Sequence, residues 1–210
     1  MSQPYWMPND RGYVSSPYGW RTDPLTGERD AWHGGIDLVL ATTQVCSVCE
    51  GTVIQSRIVS DKSNKTSEWG NYICVACDDG ITIYYCHLER RMVSQYDDVR
   101  RGQVIGIEGA TGKTTGVHLH LEMRTPTGIQ FDPSPLLGIQ NRAGYTWDRR
   151  ADYVKQASNW AADAVQWAVE NKLINGTGSG WDWQQPVTRE QLAVILKRYD
   201  DRWIHPISKG

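Results

Sequence analysis

The chain has 210 residues, 40% of them hydrophobic, enough for one medium domain and a small second one. A net charge of −2 with no long basic run excludes the electrostatic footprint of a nucleic-acid binder. No stretch approaches the roughly 18 apolar residues of a membrane helix, so neither nucleic acid nor a membrane is expected as a partner. Ten Trp and ten Tyr stand against a single Phe. Amphipathic aromatics in that excess suit surfaces that grip sugars or peptides.

The N-terminal stretch MSQPYWMPNDRGYVSS has neither a charged start nor an apolar run. The expectation is a protein made in a cytoplasm and not exported by the usual route. Residues 1–14 read as an irregular aromatic arm. Ser16–Gly27 is rich in turn residues and reads as a long loop. It leads to Trp32-His-Gly-Gly-Ile-Asp-Leu38. The i, i+4 spacing of His33 and Asp37 would align them on a helix, but Gly34-Gly35 argues against one. The reading is His33 at a loop end and Asp37 entering a strand. An imidazole and a carboxylate are both good zinc ligands, although H-x-x-x-D alone is a weak signal.

From 36 to 124 short strands alternate with turns: Ile36–Leu40, Gln44–Cys49, Thr52–Ile58, Tyr72–Cys77, Ile81–His87, Val104–Glu108 and His118–Arg124. Strands this regular, without helices between them, predict an antiparallel β domain. Asp78-Asp79-Gly80 is a good hairpin turn. On the strand after it, alternation places Thr82, Tyr84 and Cys86 on one face and Ile83, Tyr85 and His87 on the other. Five cysteines fall at 46, 49, 74, 77 and 86. The two C-x-x-C pairs lie in strand-like sequence, where i and i+3 face opposite ways. They read as buried or half-buried free thiols acting as small hydrophobes, not as a zinc knuckle or a disulfide framework.

The densest signal is Gly109-Ala-Thr-Gly-Lys-Thr-Thr-Gly-Val-His-Leu-His-Leu-Glu122. Alternation puts His118 and His120 on one face of a strand with apolar residues behind them. Two imidazoles on one face of a rigid strand make half of a metal site. Alone, the pair would also fit the surface of an edge strand.

Tyr18-Gly-Trp-Arg21, His33-Gly-Gly-Ile-Asp37, Gly70-Asn-Tyr72, Tyr85-Cys-His-Leu88, Gly102-Gln-Val-Ile-Gly106 and Gly109–Glu122, closed by Phe131-Asp-Pro133, occur in the order and spacing of the lysostaphin-type (LytM-type) zinc metallopeptidases. Over about residues 15–137 the chain resembles that family. The resemblance implies a mainly β catalytic domain, an antiparallel sheet with a groove. It implies one Zn2+ per chain held by His33, Asp37 and His120, with water in the fourth position. His118 and His87 match the family's two non-ligand histidines, His118 as principal base and His87 orienting water or stabilising the oxyanion. Tyr18 and Asn71 are the corresponding substrate-binding candidates. The implied activity is hydrolysis of peptide bonds in the stems or cross-bridges of bacterial peptidoglycan. Cys86 departs from the small residue common before the third histidine, and Lys62–Trp69 reads as an ordinary surface loop at a groove wall. Family members that have lost the ligands serve as hydrolase activators; this chain keeps every ligand.

Residues 138–150 read as a polar linker. In 151–210, apolar residues at helical period between Ser158 and Asn171, a stop at Asn175-Gly176 and a second run after Pro186 predict two helices. Trp160, Leu173-Ile-Asn-Gly176 and Pro186-Val-Thr-Arg-Glu190 resemble one S-layer-homology repeat, which implies a small α-helical module that binds secondary cell-wall polysaccharide through Arg189. Such repeats usually come in threes, so a helical hairpin that packs on the catalytic domain or pairs with another subunit, giving a homo-oligomer, remains the alternative. His205 reads as solvated. The whole resembles a phage or prophage endolysin, made in the host cytoplasm and acting on the wall after release. The other class is a non-enzymatic wall-binding or activator protein.

Overall fold

The structure is a computed structural model, and it describes residues 5–58 and 67–149 together with 167, 168, 170, 195, 196 and 199. Residues 1–148 and 149–210 form two compact units. In the first, the strands are β1 Arg11–Ser16, β2 Gly19–Arg21, β3 Ala31–His33, β4 Ile36–Leu40, β5 Gln44–Cys46, β6 Gly51–Arg57 and β7 Asn71–Cys77. They continue as β8 Thr82–Leu88, β9 Arg90–Arg91, β10 Asp98–Val99, β11 Val104–Ile107, β12 Leu119–Arg124, β13 Gln130–Phe131 and β14 Thr146–Asp148, with a short helix α1, Ser134–Leu137, between the last two. In the second unit the six described residues are helical. The rest of the expected two-helix module, Arg189 and His205 included, lies outside the described residues.

The main sheet has the order β10-β6-β7-β8-β12-β4-β1-β14, with β13 added on β12. Every strand pair in it is antiparallel. β5-β11-β9 form a second sheet and β2-β3 a separate hairpin. One face of the main sheet carries Val14, Ile36, Leu38, Val53, Ile73, Val75, Ile83, Tyr85, Leu119, Leu121 and Met123, all at most 0% exposed. Their alternation along each strand is the period-2 pattern of a half-buried sheet. The other face carries the histidines and, beside them, a smaller cluster of Tyr72, Cys74 and Cys86 packed against Trp69 and Tyr84.

Three expectations change. The aromatic arm is not irregular throughout: β1 spans Arg11–Ser16 and pairs with both β4 and β14. The linker contains a strand, β14, whose Trp147 indole is buried and donates to the Asn9 carbonyl at 3.0 Å. Pairings between residues about 130 positions apart leave no local signature. The cysteines are not all free. Cys49 and Cys77 form a disulfide with Cα atoms 6.0 Å apart, while Cys46, Cys74 and Cys86 are thiols. The rule about opposite faces holds within each C-x-x-C pair but does not bear on one cysteine of each pair meeting the other. Gly51↔Cys77 pairing across β6 and β7 brings Cys49, just before β6, to that strand end.

Glu108 is buried behind the β4–β12 junction. Its carboxylate accepts the Leu40 N–H at 3.1 Å and also the Leu119 N–H. It thus ties the end of β4 to the start of β12. Burial pushes this carboxyl up from 4.5 to about 7, although the two N–H donors pull the other way. Between those values the folded chain keeps a proton that the unfolded chain has lost, so stability falls as pH rises through this window and levels off above it. Glu108→Gln removes that slope. Thermal unfolding of the wild type and this variant should therefore diverge by a few degrees from pH 5 to pH 8, the variant gaining relative to the wild type. A constant difference across that range would show that the carboxyl is not proton-linked to folding.

Candidate metal centre

Three different backbone elements bring the ligand candidates together. His33 is the last residue of β3, Asp37 lies in β4 and His120 in β12. His120 is the direct cross-strand partner of Asp37. Gly34 and Gly35 carry the chain from β3 into β4, and a Cβ at Gly35 would fall 2.8 Å from the His120 ring and 2.6 Å from the Leu121 carbonyl oxygen. The glycine therefore permits the close approach on which the site depends.

His33 Nε2 lies 3.1 Å from Asp37 Oδ1 and 3.0 Å from His120 Nδ1, and His120 Nδ1 lies 2.8 Å from Asp37 Oδ1. All three side chains are buried. The other ring nitrogens fix the tautomers. His33 Nδ1 is 2.6 Å from the Pro17 carbonyl, which only accepts, so this nitrogen carries the proton and Nε2 carries the lone pair. His120 Nδ1 lies 2.8 Å from the Asp37 carboxylate, which only accepts, so a proton there bridges the two, and Glu122 Oε2, 3.8 Å from Nε2, can accept the ring's proton on the outer side if a cation binds Nδ1. Three ligand-type atoms thus converge on one point around a shared proton, a place that a cation can take over. A tetrahedral zinc ion with bonds of about 2.0–2.1 Å sets its ligand atoms roughly 3.3 Å apart, close to these separations. The donor set fits zinc, and the three residues form the cluster among the described residues that can hold a metal. Burial alone would raise the Asp37 carboxyl and lower His120. Their hydrogen bonds and charges win, holding Asp37 far below the usual carboxylate range and raising His120. Arg21 adds a guanidinium 3.7 Å from the outer oxygen of Asp37 and donates to Ser16 Oγ at 2.7 Å.

His118 and His87 complete the cluster, their ring centroids 4.8 Å apart. His118 precedes β12 and is held by a bridge to Gly109. Its Nδ1–H donates to the Gly116 carbonyl at 2.9 Å, and Nε2 turns inward, 3.6 Å from Asp37 Oδ1. His87 arrives against the alternation. Tyr85 and Leu88 enter the core while Cys86 and His87 both leave it. The cause is a register shift in the β7–β8 pairing between Asn71 and Ile73, together with a left-handed φ of 64° at His87. An extra residue on one strand re-aims a side chain, and a non-glycine at positive φ is strained backbone of the kind kept at functional sites. Burial first, then the charge of His120, lowers His87 to about 4, while its hydrogen bond to the Thr111 carbonyl works the other way. It is therefore neutral at pH 7, with its Nδ1–H donated to Thr111 O at 2.8 Å and a lone pair on Nε2.

The four histidines and one aspartate inferred for the site meet in one groove of about 300 Å³. The proposed substrate contacts divide. The Tyr18 hydroxyl lies 3.4 Å from the Gln130 carbonyl and its ring packs on Trp32. The Asn71 amide donates to the Leu88 and Glu89 carbonyls, bracing the turn below His87. Arg189 lies outside the described residues. Of the loop Lys62–Trp69, the described part is a 3-10 turn, Ser67–Trp69, and Trp69 lines the groove. Two participants have no role in the sequence reading. Glu122 could have been assigned from the same period of two that joins His118 to His120. Arg21 could not, because only the β2–β3 hairpin brings it to Asp37.

Comparison with known proteins accords with this geometry. The model of peptidase family M23 matches residues 31–133. Residues 31–133 are a peptidase family M23 domain. The S-layer homology domain model matches residues 152–193. The peptidoglycan DD-endopeptidase ShyC of Vibrio cholerae is 35% identical over 114 residues, 54% of this chain and 24% of that protein. The DD-carboxypeptidase/endopeptidase Mpg of Neisseria meningitidis is 34% identical over 141 residues, 63% of this chain and 30% of that protein. The chain thus spans about a quarter to a third of the length of these relatives. A solved peptidase M23 structure from Pseudomonas aeruginosa has a TM-score of 0.51 at 29% identity, covering 65% of this chain and 51% of that one.

Replacing His33, Asp37 or His120 with Ala should each lower bound zinc from one equivalent to a small fraction of one. His118→Ala should keep it. Elemental analysis after dialysis measures both, and loss of zinc from the His118 variant alone would exchange the roles of the two β12 histidines.

Proposed function

We propose that this chain is a zinc-dependent endopeptidase that hydrolyses peptide bonds in the stems or cross-bridges of bacterial peptidoglycan. The observation that carries this reading is the convergence of three buried lone-pair donors with two further imidazoles, each bearing an inward lone pair, in one groove. The M23 match and the endopeptidase names of its relatives support the same reaction class. A non-enzymatic activator would have no use for an intact ligand set and a strained His87, so the enzyme is favoured over that alternative.

Bound by His33, Asp37 and His120, a zinc ion supplies Lewis acidity toward a carbonyl oxygen and lowers the pKa of its water toward about 7. The chain's own residues do the rest. His118 donates Nδ1–H to Gly116 and turns Nε2 inward, so Nε2 can take a proton from the attacking water and return it to the leaving amine. His87 Nε2, an acceptor in the neutral ring, can hold that water in line. Donating to an oxyanion would first require His87 to gain a proton, which its dry surroundings oppose. Of its two offered roles, orientation of water therefore fits better. Glu122 and the Pro17 carbonyl orient the His120 and His33 rings, the outer partners that metal-binding imidazoles need.

The C-terminal S-layer homology domain is proposed to tether the enzyme to secondary wall polysaccharide, with Arg189 offering a guanidinium to anionic sugar substituents. The Cys49–Cys77 disulfide suits action outside the reducing cytoplasm. Together with the M23 match, these features support a wall-acting phage or prophage endolysin, released to the wall at lysis. Pairing of two chains through the C-terminal unit is the second reading of that module.

Zinc-loaded protein should release new amino termini from purified walls, and His118→Ala should lower turnover by roughly 10²–10⁴-fold with zinc retained. Absence of hydrolysis by the zinc-loaded wild type on any wall preparation would overturn the enzymatic reading. The division of labour is tested at the boundary after β14. A chain of residues 1–149 should cut soluble wall fragments at near the parent rate but lose activity on intact cells, because tethering raises local substrate concentration without changing the chemistry. Residues 149–210 should pellet with walls and fail to do so once the secondary polysaccharide is stripped. No pelleting in either case, with light scattering showing an oligomer for the full chain only, would favour subunit pairing.

A further inference from the structure

The β2–β3 hairpin stands apart from both larger sheets and presents two indoles to solvent. Trp20 and Trp32 are direct cross-strand partners, 70% and 47% exposed, with ring centroids 5.2 Å apart in an edge-to-face arrangement. Tyr18 meets Trp32 edge-to-face, with ring centroids 5.1 Å apart, and Trp32 Nε1 donates to Gln130 Oε1 at 3.0 Å. The inner indole is therefore held in one orientation while the outer one is open. This is a costly way to leave two large apolar rings if they do nothing, because contiguous exposed aromatic surface beside a groove marks a binding site.

We propose that Trp20 and Trp32 form a stacking platform for a pyranose ring of the glycan strand that carries the cleaved peptide. This rests on the peptidoglycan reading above. Trp32 lines the catalytic groove and immediately precedes the ligand His33, so the platform continues the groove outward. An extended peptide advances at most about 3.6 Å per residue, and a few residues carry it from the cluster to the indoles. A glycan joined covalently to a peptide that leaves the groove on the Trp32 side passes near this hairpin. The chemistry matches the occupant. The C–H-bearing face of a pyranose is weakly positive and apolar, and it packs on the electron-rich face of an indole. The ring's hydroxyls and acetamido group need polar neighbours, and the segment joining β2 to β3 carries Thr26, Glu28, Arg29 and Asp30, all exposed. A protein partner would call for a larger apolar patch than two indoles and the half-exposed Leu25.

Binding and turnover test this separately. A peptide-free oligosaccharide of β-1,4-linked N-acetylglucosamine is titrated into the full chain and followed by the indole N–H resonances. Saturable shifts are expected in the wild type, at least fivefold weaker binding in Trp20→Ala, and recovery in Trp20→Phe. In hydrolysis, the ratio of KM for a peptide linked to its disaccharide over KM for the same free peptide should rise about fivefold in Trp20→Ala, with kcat for the linked substrate unchanged. Equal effects on both substrates would make Trp20 a peptide contact and overturn the inference, as would no effect on either. Trp20-dependent sugar binding without hydrolysis of any substrate would remove the peptidase reading and leave this one standing. Hydrolysis with sugar binding indifferent to Trp20 would do the reverse.

Discussion

Everything in the catalytic unit depends on forcing three lone-pair donors to face one another within about 3 Å inside a dry sheet. Without a cation or a shared proton that arrangement is repulsive, and the rest of the structure can be read as what holds it. The Pro17 carbonyl and Glu122 occupy the outward ring nitrogens, so neither imidazole can relax by turning over. Antiparallel pairing of His120 with Asp37 fixes two of the donors in register. Glu108 then bonds the backbone of both strands from the core side. The cost of holding unpaired donors in place is spread over many ordinary backbone hydrogen bonds, which is how strain persists at a functional site.

What the sequence discloses follows from the range of the interaction involved. Seven core strands are legible because alternation is a property of neighbouring residues, and they begin and end within one position of expectation except β5, which ends at Cys46 instead of Cys49. His118, His120 and, had it been considered, Glu122 lie on one face for the same reason. His87 is the informative case. Alternation assigns it to the core with Tyr85, and only a bulge opposite Asn71–Ile73 with a left-handed backbone turns it to the groove. Resemblance to a family supplied that residue; periodicity alone would have rejected it. β1 and β14, Arg21 against Asp37 and the Cys49–Cys77 bond depend on residues that meet only after the chain has folded.

His118 and His87 are held in different ways. His118 hangs on a glycine-rich segment before β12, and its anchoring bond is to Gly116, two residues away. A ring held by its own loop can follow a proton through a small displacement. His87 is instead fixed at a bulge in the middle of the sheet, bonded to Thr111 across the groove wall, and kept neutral by burial. Thr111 in turn donates its hydroxyl to the Leu88 carbonyl and accepts the Asn71 N–H, so His87 belongs to a rigid brace. Asn71 belongs to that brace through the Leu88 carbonyl at the end of β8.

The same brace explains the glycines on the other wall. Gly70 has a φ of 62°, and a Cβ there would lie 2.3 Å from the Thr111 carbonyl carbon; Gly112, at φ 81°, would meet the Gly70 nitrogen at 2.4 Å. Two backbone segments therefore touch where side chains would ordinarily separate them. The contact places the Trp69 turn and the loop of Lys113 against one another, and the Lys113 N–H donates to the Glu68 carbonyl at 2.9 Å. Lys113 also reaches Asp23 on the opposite hairpin at 3.7 Å and Glu68 at 3.6 Å. These ion pairs are exposed and weak, so the groove wall owes its form to glycine-permitted backbone packing. The charges only span its mouth, and an entering peptide can part them at little cost while the wall behind His87 stays in place.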